Sequence, residues 1–215
     1  MKNKLERYAY NTNSDYVIQE GKKYYNSTKG KWNKIFKNNN PIIVELACGN
    51  GEYTVSRSIS NSDKNYIGVD IKGARIWKGA NILEENNIKN ALFLRTQIES
   101  ISDFFDEDEV DEILISFPDP RPRKRDIKKR LTNNTFLEMY YKILKKRGFL
   151  ILKTDDDKLF DYSYKEIKSS KFSIKEYTID LYNSTKFELY KKIKTKYENK
   201  FLLEGKKIKL LISSK

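Results

Sequence analysis

Short apolar runs alternate with amphipathic segments along most of this chain of 215 residues. The runs are rich in β-branched residues, which is typical of buried strands. The segments between them place apolar side chains at helical spacing, as Ile76, Ala80 and Leu83 do. The predicted strands cover residues 41–48, 65–71, 91–96, 111–117, 147–155, 172–182 and 208–213, and the predicted helices cover residues 52–60, 74–86, 136–146, 159–170 and 195–205.

This alternation predicts an α/β fold with a mainly parallel sheet and helices on both faces. The last two strands have less helix between them, so we expect an antiparallel pair at the edge of the sheet. Residues 41–215 are predicted to form a single domain. Residues 1–40 lack clear periodicity and are predicted to form a basic N-terminal arm that is irregular or partly helical.

Positive charge is concentrated in three segments. The chain has a net charge of +13, whereas residues 1–40, 121–130 and 191–215 have net charges of +6, +6 and +7. This clustering favours a surface for a polyanion such as a nucleic acid. General enrichment in lysine is an alternative explanation for part of the excess. Tyrosines of the first segment either stack on exposed bases or pack against the domain, namely Tyr8, Tyr10, Tyr24 and Tyr25.

The composition excludes several kinds of chemistry. The chain has no histidine, which rules out catalysis through a histidine base and most zinc sites. Cys48 is the single cysteine, so no internal disulfide can form, and without a neighbouring base it is predicted to be a small buried residue. No apolar stretch reaches the length of about 18 residues that a membrane helix needs, and no signal-peptide pattern is present. We therefore expect a cytoplasmic protein with no membrane partner and no metal.

A glycine-containing loop, ELACGNGEY, follows the first predicted strand. Gly49 and Gly51 allow a tight turn and a close approach of the backbone to a ligand. Asp70 ends the second strand, where a carboxylate can accept both hydroxyls of an adenosine ribose. A simple turn and a helix cap are the alternative explanations for these residues. Their combination on a β-α-β pattern predicts a nucleoside cofactor site.

Two features of this loop argue against a cofactor with phosphates. A dinucleotide fingerprint needs a third glycine at position 54, which is Thr54. Glu45 lies beside the loop, and its carboxylate would repel phosphate while suiting a positively charged ligand. The loop therefore favours a cofactor such as S-adenosyl-L-methionine.

The sequence FPDPRPRKRD, at residues 117–126, follows the fourth predicted strand. Asp119 lies between Pro118 and Pro120, which restrict the backbone and reduce the entropy lost on positioning the carboxylate. The alternative interpretation is that Pro-Asp-Pro only ends a strand and begins a turn. Basic side chains that are expected to follow an RNA backbone come next, at Arg123, Lys124, Arg125, Lys128, Lys129 and Arg130.

Five motifs occur in the order ELACGNGE, IGVDI, FPDPRPRKR, KTD and TKYE. This order resembles the bacterial tRNA (guanine-N7-)-methyltransferases, over about residues 40–213. The resemblance implies the Rossmann-like class I fold of S-adenosyl-L-methionine-dependent methyltransferases, with an antiparallel edge strand on a mostly parallel sheet. It also implies methyl transfer from S-adenosyl-L-methionine to N7 of a guanine in the variable loop of tRNA. It leaves open whether the chain is a monomer or a homodimer.

The resemblance also implies roles for individual residues. Asp119 matches the family's proposed active-site carboxylate, which also lies at the cofactor. The other cofactor-binding positions correspond to Glu45, Gly49, Gly51, Asp70 and Gln97. The substrate-binding positions correspond to Arg123, Asp155, Thr195, Lys196, Tyr197 and Glu198.

The TKYE motif allows two interpretations, and both can hold. In the first, Tyr197 faces the core while Thr195 and Glu198 reach donor groups of guanine. In the second, Thr195 is the N-cap of a helix and Glu198 completes a capping box three residues later.

Four positions depart from the family pattern. Ala47 stands where the family usually has glycine, and Asp126 stands where many members have histidine. Gln97 aligns with an acid or amide, and it can bond the adenine edge without adding charge. Arg121 replaces an aromatic residue, which changes a stacking role into a guanidinium role.

The residue types suit methylation of guanine N7. That nitrogen has a free lone pair at neutral pH, so the reaction needs no strong base, and orienting two bound reactants can lower a barrier by about 7–11 kcal/mol. A fixed carboxylate such as Asp119 or Asp155 either stabilises the purine as it gains positive charge or holds its N1 and N2 donors. The alternatives are a methyltransferase with a different RNA target, a non-catalytic RNA-binding protein on the same fold, and a nucleotide-dependent oxidoreductase.

Overall fold

The computed structural model describes residues 3–215, which form one eight-stranded sheet with helices packed on it. The strand order is β1-β4-β3-β2-β5-β6-β8-β7, and every pairing is parallel except the two made by β8. The strands are β1 (Val17–Ile18), β2 (Ile42–Leu46), β3 (Asn65–Val69), β4 (Ala91–Leu94), β5 (Val110–Ser116), β6 (Leu144–Thr154), β7 (Ser173–Thr178) and β8 (Lys209–Ser214). The helices are α1 (Lys4–Asn13), α2 (Trp32–Phe36), α3 (Glu52–Ser60), α4 (Gly73–Glu85), α5 (Asn134–Ile143), α6 (Asp157–Lys168), α7 (Glu188–Lys191) and α8 (Lys196–Leu203).

The central parallel strands are buried on both faces of the sheet. Every residue of β2 is buried, and alternate side chains enter different cores because the side-chain period of a strand is two. Val44 and Leu46 join the core that includes Phe136 of α5, whereas Ile43 joins the core that includes Ile76 of α4. The predicted α/β fold with a mostly parallel sheet is confirmed.

The predicted antiparallel pair at the sheet edge is also confirmed. β7 is the edge strand and pairs in antiparallel fashion with β8, for example at Tyr177 and Leu211. β8 in turn pairs in antiparallel fashion with β6. None of the helices formed by residues 3–215 is long and apolar enough to cross a membrane.

Residues 3–40 are built into the domain, so the predicted boundary at residue 40 does not separate an arm from it. β1 extends the sheet by pairing with β4, with Val17 opposite Phe93. Trp32 is fully buried, stacks on Phe105 at 5.1 Å and donates its indole N–H to the carbonyl of Phe104 at 2.9 Å. These contacts bury apolar surface that an independent arm would leave in water.

Three of the four N-terminal tyrosines pack against the domain. Tyr10 meets Trp77 edge to face at 6.5 Å, and Tyr25 meets Phe104 at 4.9 Å. The ring of Tyr8 lies 5.0 Å from the guanidinium of Arg95. Tyr24 is 43% exposed. Packing, one of the two alternatives for these residues, is what the structure shows for Tyr8, Tyr10 and Tyr25.

Candidate functional site

Four carboxylates lie at the carboxyl edge of the sheet. Glu45 is near the end of β2, and Asp70, Asp119 and Asp155 follow β3, β5 and β6. These strands are neighbours in the order β3-β2-β5-β6 and run parallel. Their carboxyl ends therefore share one edge, which is where ligands bind in open α/β sheets.

The loop after β2 turns through three residues in the left-handed backbone region. They are Ala47, Gly49 and Gly51, with φ of 56°, 58° and 73°. A Cβ atom on Gly49 would meet nothing within 4 Å, so open space lies beside the backbone there. A Cβ on Gly51 would instead clash with the ring of Phe93. Gly49 thus offers room for a ligand, whereas Gly51 is required by packing inside the domain.

Asp70 holds the glycine loop in place. Its Oδ2 accepts a hydrogen bond from the backbone N–H of Gly49 at 2.9 Å, and its Oδ1 accepts one from the backbone N–H of Lys72 at 2.8 Å. Each carboxylate oxygen can accept a further bond, so the side chain can still bind hydroxyls. The next residue, Ile71, is 48% exposed and adds an apolar surface beside Asp70 that the sequence did not lead us to expect.

Glu45 is buried beneath the start of α3. Its Oε2 accepts bonds from the backbone N–H and the hydroxyl of Thr54 at 3.1 and 2.6 Å, and its Oε1 accepts one from Ser116 at 2.8 Å. Burial raises the pKa of Glu45 to about 7, and the hydrogen bonds from Thr54 and Ser116 oppose that shift. Ser116 ends β5, so this carboxyl connects the glycine loop to the strand that leads to Asp119.

The residues at this edge fit S-adenosyl-L-methionine better than a phosphate-containing cofactor. The N–H groups of Gly49, Gly51 and Thr54 already donate to Asp70, to the carbonyl of Cys48 and to Glu45. A pyrophosphate would need such donors and would meet the carboxyl of Glu45 at the helix N-terminus. A positively charged nucleoside finds two carboxyls, an exposed apolar side chain and open space beside Gly49.

The loop after β5 has a constrained backbone around Asp119. Phe117 and Arg121 have φ of 48° and 46°, in the left-handed region that non-glycine residues rarely adopt. The carboxylate of Asp119 is 61% exposed, accepts the N–H of Arg121 at 3.1 Å and lies 3.3 Å from the guanidinium Nε of Arg121. Arg121 therefore partners Asp119 and cannot be described only as a replacement for a stacking ring.

Arg130 does not belong to the RNA-facing set predicted from the sequence. It is 8% exposed, and its guanidinium donates to the carbonyls of Pro120 and Arg121 at 3.1 and 3.2 Å while lying 4.3 Å from the ring of Tyr162. These bonds pair backbone carbonyls of the loop that carries Asp119, and so they hold that loop in place.

Four basic residues of this loop remain exposed without an ion pair among residues 3–215, namely Arg123, Lys124, Arg125 and Lys128. These four are called the basic loop below.

Asp155 follows β6, and the TKYE motif begins α8. The carboxylate of Asp155 pairs with Lys206 at 2.6 Å and is 14% exposed. Thr195 is the N-cap of α8, where its hydroxyl accepts the N–H of Glu198 at 3.2 Å. The backbone N–H of Lys196 donates to Glu52, the first residue of α3, at 2.6 Å. These bonds attach α8 to the helix that follows the glycine loop.

The expected orientations of Tyr197 and Glu198 are wrong. Tyr197 is 58% exposed, whereas Glu198 is completely buried and pairs with the buried Lys153 at 2.7 Å. Tyr182 also donates to Glu198, at 2.8 Å. The side chain of Glu198 therefore does not return to the N-cap, and only the Thr195 half of the capping box is present. The partner of Glu198 is a lysine on a distant strand, which local spacing does not reveal.

Gln97 and Cys48 complete the predicted set. Gln97 is exposed just beyond the carboxyl end of β4, and its side chain makes no capping bond. Cys48 is buried in the glycine loop, and burial raises the pKa of its thiol well above the ordinary value. The thiol therefore stays protonated and unreactive, which agrees with the prediction of a small buried residue. Within residues 3–215, no cluster of three or more acidic or cysteine side chains is arranged to hold a metal ion.

Comparisons of the sequence agree on one family, and a comparison of structures agrees on the fold. A sequence model described as "Putative methyltransferase" matches residues 39–211. The tRNA (guanine-N(7)-)-methyltransferase of Cytophaga hutchinsonii is 38% identical over 97% of this chain and 95% of its own length. The protein of the same name from Christiangramia forsetii is 42% identical over 96% of this chain and 95% of its own. A solved antibiotic-related methyltransferase has the same fold, with a TM-score of 0.65, 19% identity and coverage of 92% of this chain and 98% of its own.

Proposed function

The chain belongs to the tRNA (guanine-N7-)-methyltransferase family, and from that membership we propose how its residues divide the work. It is an S-adenosyl-L-methionine-dependent enzyme that methylates N7 of guanine in tRNA. The observation that carries this function is 42% identity to a tRNA (guanine-N(7)-)-methyltransferase over 96% of the chain. We propose that the target guanine lies in the variable loop, and that the enzyme works in the cytoplasm, where its tRNA substrate is found.

The cofactor half of the proposed site lies over β2, β3 and β4. Asp70 would accept the ribose hydroxyls through its remaining lone pairs, and Gln97 would bond the adenine edge from the end of β4. Gly49 would leave room for the cofactor to approach the backbone, supported by the open space beside it. Glu45 would lie beneath a cationic ligand, whose charge would favour the ionised form of this buried carboxyl. Gly51 would act indirectly, since its lack of a side chain is needed for packing against Phe93.

The substrate half of the proposed site lies over β5 and β6. When bound, S-adenosyl-L-methionine supplies a methyl group on a positively charged sulfur, and the purine that accepts it gains positive charge. Asp119 would stabilise that charge, because a preorganised carboxylate needs no rearrangement as the charge develops. Asp155 would hold guanine donors after exchanging its ion pair with Lys206. Thr195 and Lys196 would shape the pocket wall, and Arg123 would contact the substrate.

Because Glu198 is buried, we propose a supporting role for it in place of direct contact with the substrate. Its carboxylate is bound to Lys153 and Tyr182, so it would support the substrate wall from behind. Tyr197 is exposed and able to meet RNA.

The deciding experiment is incubation of the purified chain with unmodified tRNA and methyl-labelled cofactor, followed by nucleoside analysis and mapping of the modified position. We expect 7-methylguanosine in the variable loop. Label in another nucleoside would support a methyltransferase with a different RNA target. Binding of tRNA with no transfer of label would support the non-catalytic alternative.

Replacement of Asp119 tests its role within the same assay. Asp119→Asn keeps the size of the side chain and removes its charge, so we expect kcat to fall by about 100-fold, the usual effect of losing one preorganised electrostatic group. The cofactor Kd should change far less. Asp161→Asn, an exposed acid on α6, is the matched control and should retain wild-type turnover. A wild-type kcat in the Asp119 variant would remove Asp119 from the mechanism.

A further inference from the structure

The segment between β7 and β8 contains positive charge of which the proposed site uses only that of Lys196. Residues 186–207 include eight lysines and three glutamates. Four of these lysines are paired with carboxylates: Lys191 with Glu188, Lys200 with Glu204, Lys206 with Asp155 and Lys207 with Asp180. Their charges are therefore largely neutralised locally.

The other four lysines are exposed, and among residues 3–215 no carboxylate lies within ion-pair distance of them. They are Lys186, Lys192, Lys194 and Lys196, called the lysine surface below. Lys194 lies 4.6 Å from the ring of Tyr182, which orders its stem without neutralising its charge. Neighbouring cations without acidic partners produce a positive potential that attracts a polyanion.

The lysine surface is fixed to the rim of the proposed site. The backbone N–H of Lys196 donates to Glu52 beside the glycine loop, and the same first turn of α8 is fastened to β6 by the buried pair of Glu198 and Lys153. Through these two contacts, the segment that carries the lysines is attached both to the cofactor half of the site, at α3, and to the substrate half, at β6.

The loop after β5 borders the same edge and joins this segment through aromatic rings. Phe117, at the exit of β5, lies 5.7 Å from Phe201 of α8, and Phe201 stacks with exposed Tyr197 at 6.3 Å. The row of rings thus connects two segments that both carry exposed basic side chains. Cations bind the phosphates of a polynucleotide and an exposed aromatic ring can stack on its bases, so this combination suits RNA.

We propose that the lysine surface binds the sugar–phosphate backbone of tRNA, so that the polynucleotide is held on two sides of the target guanine. This inference rests on the proposed function, and it deepens it by naming a second RNA-binding surface. The basic loop supplies one side, and Lys186, Lys192, Lys194 and Lys196 supply the other. Contacts of this kind set the position of the RNA and do not read its sequence.

The test replaces all four lysines by alanine and measures the Kd for unmodified tRNA over a salt series. Each phosphate that loses its cationic partner reduces the slope of log affinity against log salt by about 0.9, the value for a double helix, so four such phosphates reduce it by about 3.6. We expect Kd to rise at least about tenfold at low salt. The matched control replaces four exposed lysines at the opposite edge, Lys31, Lys34, Lys146 and Lys168, and should keep the wild-type slope.

Two further measurements make the result decisive. Replacing the same four lysines by arginine keeps the charge, so it should restore both affinity and slope. The wild-type nucleoside assay is run in parallel: if 7-methylguanosine forms but the alanine variant keeps the wild-type Kd and slope, this inference is wrong while the proposed function stands. If the alanine variant loses affinity but the wild type makes no 7-methylguanosine, the RNA surface stands and the proposed function fails.

Discussion

Individual carboxyl groups at the sheet edge have contrasting surroundings. Glu45 is buried and accepts three hydrogen bonds, whereas Asp119 is exposed and held by Arg121. Loss of water around Glu45 disfavours its charged form, whereas the exposed carboxylate of Asp119 is free to meet a substrate. The same functional group therefore suits a buried support at one position and direct contact at the other.

Ala47 shows why the family usually has glycine at its position. Its φ of 56° lies in the left-handed region, which costs a residue with a Cβ roughly 1–2 kcal/mol. The loop of this chain tolerates that cost because Asp70 fixes Gly49 two residues later. The departure from the family pattern is thus a local strain within an otherwise intact loop.

The raised pKa of Glu45 predicts a pH-dependent stability. Between the ordinary pKa of 4.5 and the folded value of about 7, the folded chain keeps a proton that the unfolded chain has lost, so stability falls as pH rises through this window. The shift corresponds to about 3 kcal/mol. Glu45→Gln should lack this loss, which urea unfolding near pH 5 and pH 8 would measure. Glu176→Gln, at an exposed site on β7, should behave as the wild type. Equal losses in the Glu45 variant and the wild type would show that Glu45 does not titrate in this window.

At the scale of elements, two buried cations fix the walls of the site. Arg130 holds the loop after β5 through backbone carbonyls, and Lys153 holds α8 through Glu198. Burial lowers the pKa of Lys153, and the charge of Glu198 acts against that change. The Arg130 contacts close one loop on itself, whereas the Lys153–Glu198 pair joins segments that are distant in sequence and so sets the position of α8 relative to β6.

The Lys153–Glu198 pair predicts a strongly coupled mutational result. Lys153→Met leaves the Glu198 carboxylate buried without its partner, which should cost about 3–5 kcal/mol of unfolding free energy. Adding Glu198→Leu removes the isolated charge, so the double variant should recover most of that loss. Urea unfolding of the wild type, both single variants and the double variant measures the coupling. A double variant that is less stable than either single variant would contradict this account.

At the scale of the whole molecule, charge is arranged around one edge of the sheet. The net charge of +13 includes the exposed basic loop after β5 and the lysine surface between β7 and β8. The carboxylates lie at the carboxyl ends of the parallel strands. This arrangement separates attraction of the RNA from the acidic groups that handle the cofactor and the base.

The separation of the two basic surfaces predicts additive effects on tRNA binding. Replacing Arg123, Lys124 and Arg125 by alanine should raise the KM for tRNA and reduce the salt slope by about 0.9 for each phosphate that loses its cationic partner. Combining these changes with the lysine-surface variant should add the two slope reductions, because the surfaces lie on different elements. Cofactor affinity should remain at the wild-type value. A combined slope no smaller than that of either parent variant would show that the RNA does not bind both surfaces at once.

The sequence by itself determined the parallel sheet, its antiparallel edge and the placement of the four acids, because side-chain periodicity is local and parallel strands end at a common edge. It did not reveal β1, since a strand of two residues, Val17 and Ile18, has no period to detect. Only the tertiary structure decided that Glu198 faces inward and Tyr197 outward, because that choice depends on a lysine on β6. It also turned Arg130 from an expected RNA contact into a clamp on its own loop, since the carbonyls that bind it are brought near by the fold.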